Sequence, residues 1–81
     1  MNRNFSTYET YDLNSASALV TLGYKLLKLD KTNPKKVRFV FKEEKSIDQA
    51  MLDYWNDEIK LPAQTLFNNQ KMLKNRIYSN M

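Results

Sequence analysis

Val37-Arg38-Phe39-Val40-Phe41-Lys42 decides how this chain folds. Val37, Phe39 and Phe41 recur at every second position with Arg38, Val40 and Lys42 between them, the period of a strand with one face in a core and one toward water. A helix would scatter the same side chains around its surface. Just upstream, residues 24–30 (Tyr-Lys-Leu-Leu-Lys-Leu-Asp) mix alternation with an apolar pair and also read as a strand. Between the two runs, Lys31-Thr32-Asn33-Pro34-Lys35-Lys36 carries an Asn-Pro turn signal, and its length suits an antiparallel hairpin with an extended loop.

Working outward, Phe5 to Tyr11 forms a first strand, rich in the Thr and Tyr that favour a pleated surface. Asp12 then N-caps a helix over residues 13–22, because its carboxylate can accept from the orphan amides of the first turn. Gly23 ends that helix in the left-handed conformation, and Ala16, Leu19 and Val20 form its apolar stripe. Beyond the hairpin, Ser46-Ile47-Asp48-Gln49 has the form of a capping box. Ile47, Ala50, Met51, Tyr54 and Trp55 follow at the spacing of a buried helical stripe. A last helix begins near Pro62 and runs to about Tyr78, with Leu66, Phe67, Leu73 and Ile77 inward.

The expected fold is therefore α+β, in the order strand-helix-strand-strand-helix-helix. A helical connection makes the first two strands parallel, and the third, antiparallel to the second through the hairpin, lies between them. The result is a three-stranded, mostly antiparallel sheet with the helices packed on one face, since Val37, Phe39 and Phe41 need burial while Arg38 and Lys42 need water. Residues 1–81 read as a single domain, with 1–4 and 79–81 as loose termini.

Composition narrows the function. The 81 residues contain no Cys and no His, which removes disulfides, thiolate metal sites and the commonest general base and metal ligand. Ser15, Ser17 and Ser46 have no imidazole to activate them. The single Gly cannot build a phosphate-cradling loop. Glu43-Glu44 and the Asp53, Asp57, Glu58 group fit no metal-loop pattern and read as solvated charge. These features predict a protein with no catalytic residues, no metal site and no cofactor. The polar start and the lack of an apolar run of about 18 residues predict a cytoplasmic protein without a membrane partner.

Tyr8-Glu9-Thr10-Tyr11-Asp12-Leu13, Ala16 to Leu27, Phe39-Val40-Phe41, Asp53-Tyr54-Trp55-Asn56 and Leu73-Lys74-Asn75-Arg76-Ile77-Tyr78 together resemble a family of small uncharacterised proteins. That family is a domain of unknown function found in phages, integrative elements and their bacterial hosts. The resemblance covers residues 8–79 and implies a mobile-element setting, with no activity or site residues to carry over. Its Tyr-Trp-Asn motif is usually followed by Gly. Here Asp57 stands in that place, so the turn after the second helix is expected to differ.

Charge is where the sequence departs from an ordinary domain. Of a net charge of +4, residues 24–45 hold eight basic against three acidic side chains, while residues 46–61 hold one against four. Lys31, Lys35 and Lys36 crowd the hairpin loop, Arg38 and Lys42 share a strand face, Lys28 lies on the neighbouring strand, and Lys71 and Lys74 sit in the last helix. These eight are the candidate binding residues, with nucleic acid, DNA or RNA, held through its phosphates as the expected ligand. The plainer reading is a solvated surface whose lysines protect a sheet edge. Protein partners are the competing expectation: a host factor whose activity the chain blocks, or further copies of itself in a homo-oligomer. Tyr54 and Trp55 read as core, while Tyr8, Tyr11, Tyr24 and Tyr78 could form an exposed aromatic surface.

Overall fold

The computed structural model describes residues 6–79. Its elements are β1 (Thr7–Thr10), α1 (Leu13–Leu22), β2 (Leu26–Asp30), β3 (Arg38–Lys42), α2 (Ile47–Trp55) and α3 (Ala63–Ile77), in the order the sequence implies. Phe5, expected to open the first strand, lies outside the described residues, as do positions 1–4 and 80–81.

The three strands lie in the order β1-β3-β2, and both pairings are antiparallel. β1 and β2 thus run parallel without touching, with β3 between them. Phe39 and Phe41 project from β3 into a core with Ala16 and Leu19 of α1, Ile47 and Met51 of α2, and Leu73 of α3. All three helices therefore cover one face of the sheet and leave the other open. The large core side chains Phe39, Phe41, Leu19, Ile47 and Leu73 are 0–1% exposed. Each is worth roughly 1.5–3 kcal/mol of burial.

The apolar pair in residues 24–30 is accommodated by a β-bulge. Pairing steps from Leu26–Phe41 to Lys28–Val40, so two residues of β2 oppose one of β3. As a result both Leu26 and Leu29 pack against the core, while Leu27 is left exposed. Strict alternation would have sent one of the two inward leucines to solvent. Val40, on the open side, is nonetheless only 4% exposed, because in the central strand it is flanked in register by Glu9 and Lys28.

α1 is buried along Ser15, Ala16, Ser17, Ala18 and Leu19, a run too long for one face. Small side chains let this helix pack against the sheet, α2 and α3 together. Ser17 satisfies its buried hydroxyl by donating to the carbonyl of Leu13 at 2.8 Å. The Asp12 cap forms as expected, its Oδ2 accepting from the Ser15 amide at 3.0 Å and the Ser15 hydroxyl at 2.6 Å. At the other end Gly23 adopts φ +100°, with Gly23 N–H donating to Val20 and Tyr24 N–H to Leu19, a Schellman ending. α2 closes in the same way: Asp57 N–H donates to Tyr54 and Glu58 N–H to Asp53, with Asp57 at φ +61°. Position 57 thus adopts the left-handed conformation that favours Gly, here held by an aspartate.

Three expectations are corrected. The capping box at Ser46 does not form, because the Ser46 hydroxyl pairs with the Tyr24 hydroxyl at 2.6 Å and Gln49 turns forward to Asp53 at 2.8 Å. Trp55 is 64% exposed, since Ile47, Met51 and Tyr54 already fill the inward face of α2 and rotate position 55 onto its flank. Phe67 likewise lies exposed on α3, whose inward side chains are Leu73 and Ile77.

Candidate nucleic-acid interface

The open face of the sheet is organised around Arg38. Its guanidinium lies between Glu9 of β1 (Nη1 to Oε1, 3.1 Å) and Asp30 of β2, so one cation ties all three strands together. These are the two ion pairs among the described residues. Asp30 is held further by Thr32, whose hydroxyl and amide donate to its Oδ1 at 2.6 and 3.0 Å. Those bonds and the Arg38 guanidinium hold its carboxyl far below the usual carboxylate range. The same bond to Asp30 raises the Arg38 pKa.

The eight candidate side chains consequently fall into different situations. Arg38 is committed to two carboxylates and adds little free positive charge. Lys31 is committed as well: its Nζ donates to the carbonyls of Arg76 and Ser79 at 2.6 and 3.0 Å, satisfying the C-terminal end of α3. Ser79, expected to be part of a loose terminus, is thereby tied to the hairpin. Lys28 and Lys42 stand exposed on the open face, and Lys35 stands exposed in the loop. Lys36 sits over the Tyr11 ring, 4.9 Å from its centroid. Lys71 and Lys74 are exposed on α3, which covers the other face of the sheet, so the fold does not bring them to the Lys28–Lys42 surface. Arg76, from the same helix, does approach it. With Lys28, Lys31, Leu27, Leu29 and Ser79 it lines a cavity of about 580 Å³ along the β2 edge. The tertiary path of α3 sets that neighbour there while leaving Lys71 and Lys74 away from it.

The hairpin loop is a built turn. Asn33 accepts the Lys35 amide on its side chain at 3.0 Å and the Lys36 amide on its carbonyl at 3.1 Å, with Pro34 fixing the turn. This points Lys35 and Lys36 outward at one end of the sheet.

The sequence profile of DUF5659, a domain of unknown function, matches residues 5–79. The chain belongs to the DUF5659 family. No curated protein and no solved structure matches this DUF5659 domain. Among the described residues no helix is long and apolar enough to cross a membrane, and no three carboxylates cluster as a metal site would need.

Proposed function

We propose that this DUF5659 domain is a non-enzymatic binding protein of a phage or mobile element, holding nucleic acid by its phosphates on the hairpin side of the sheet. The observation that carries the proposal is the distribution of ion pairs. Both carboxylates of the open face go to Arg38, while Lys28, Lys35 and Lys42 have no carboxylate partner among the described residues. The molecule is a plate of 35 × 34 × 18 Å, so a backbone laid across its uncovered face could meet several of these ammonium groups at once. Each neutralised phosphate releases counterions, which makes such binding steeply salt-dependent.

Fluorescence anisotropy with duplex DNA, single-stranded DNA and RNA at two salt concentrations tests it. Binding that weakens with salt, and weakens further in a Lys28→Glu, Lys35→Glu, Lys42→Glu variant, is the expected result. Absence of binding at low salt overturns the proposal.

A second reading, that the domain docks on and regulates a host protein, is favoured by one observation. Leu52 and Trp55, one turn apart on α2, are 53% and 64% exposed. Aromatic anchors of this kind are enriched where proteins meet. Nuclease-treated pull-downs comparing wild type with Trp55→Ala separate the two readings.

A further inference from the structure

The end of the molecule that carries the hairpin loop also carries two exposed tyrosines from elements far apart in sequence. Tyr11, between β1 and α1, is 55% exposed, and Tyr78, at the end of α3, is 81% exposed. Together with Pro34, Lys35 and Lys36 they line one cavity of about 390 Å³. Tyr11 also forms a wall of a second cavity, of about 670 Å³, with Thr32, Asn33, Lys36 and Arg38. Tyr8 and Tyr24, by contrast, pack against the core. The fold has therefore sorted the tyrosines, leaving two exposed where the loop lysines project.

We infer that this end is a binding site for single-stranded nucleic acid, with Tyr11 and Tyr78 as stacking platforms for unpaired bases and Lys35 and Lys36 as partners of the adjoining phosphates. The inference rests on the nucleic-acid reading above and narrows its ligand. Sites for single strands combine a basic track with aromatic rings, because every base offers a π face while its phosphate offers a charge. A duplex keeps its bases stacked on one another, so it offers these rings nothing. Lys36 lies over one face of the Tyr11 ring, 4.9 Å from its centroid, so a base would stack on the other face with an ammonium group nearby for the adjoining phosphate. More than half of Tyr11 stays exposed with that lysine in place. Thr32 and Asn33 on the adjacent wall supply polar groups for base edges.

The test compares oligothymidine and oligouridine with a duplex of equal length, against wild type and the variants Tyr11→Ala, Tyr78→Ala, Tyr11→Phe and Tyr78→Phe. Single strands are expected to bind more tightly than duplex. Each alanine variant is expected to lose about 5- to 100-fold in affinity for them, and each phenylalanine variant, which keeps the ring, to restore it. The two single strands show whether DNA or RNA is preferred. Thermal melts establish that the variants fold, and the phenylalanine pair serves if an alanine variant does not. Binding that tracks the lysines but ignores both tyrosines, or a duplex bound as tightly as the single strands, overturns the inference and leaves phosphate binding standing. Failure of every nucleic acid to bind at low salt overturns both.

Discussion

Lys31 in the hairpin loop caps the end of α3 by donating from its Nζ to the Arg76 carbonyl at 2.6 Å, joining residues 45 positions apart. A cation at a helix C-terminus satisfies orphan carbonyls and meets the negative end of the helix dipole. Lys31→Ala is therefore expected to cost about 0.5–1 kcal/mol, the site being solvent-exposed. Hydrogen exchange of the amides of residues 75–79 should accelerate while α1 keeps its protection. Unchanged exchange at the end of α3 would show that the contact is not formed in solution.

Acid should loosen the three-strand clamp on the open face. The Asp30 carboxyl is depressed by the Thr32 bonds first and by Arg38 after them. A carboxyl lowered on folding contributes stability that is complete above its unfolded pKa, near 3.8, and is lost as pH falls below it toward the folded value. Thermal melts between neutral pH and strong acid should thus show a fall below pH of about 4. Asp30→Asn should lower the melting temperature at neutral pH and flatten that fall. A variant with the wild-type acid dependence would remove Asp30 from the account.

The two Schellman endings make opposite predictions. Gly23→Ala places a Cβ at φ +100° and is expected to destabilise by about 1–2 kcal/mol. No neighbouring atom lies close to that Cβ, so the cost is one of backbone conformation alone. Asp57→Gly relieves the same strain at φ +61° and, after the added freedom of the unfolded chain, is expected to stabilise by about 0.5 kcal/mol. Urea denaturation with an unchanged slope measures both.

The sole tryptophan serves as its own reporter. Trp55 packs edge-on against Tyr54, 5.1 Å between centroids, and is otherwise largely in water. Its emission should already be that of a solvated indole and shift little on unfolding. Trp55→Ala should cost no more than about 1.5 kcal/mol, the scale of one aromatic pair. Phe39→Ala, in the core, should cost about 3–5 kcal/mol. A strongly blue-shifted native emission would contradict the exposed position.

Sequence alone determined the elements and their order, because those rest on local physics. The alternation in residues 37–42 needs no knowledge of the rest of the chain, nor does an aspartate before a helix or the single glycine after it. Even the central place of β3 followed from a helical crossover and a hairpin. Tertiary structure decided what depends on who stands opposite. The bulge at Leu27 exists because Leu26 and Leu29 both had to reach one core. Ser46 failed as a cap because Tyr24, more than twenty residues away, took its hydroxyl. Trp55 and Phe67 stood at the margins of apolar stripes, where a shift of some tens of degrees in helix rotation separates core from surface. The same division runs through the candidate site. The surplus of lysine in residues 24–45 was legible as composition. Which cations are spent on Glu9, Asp30 and the end of α3, and which remain beside Tyr11 and Tyr78, was set by contacts between distant segments, which no local pattern encodes.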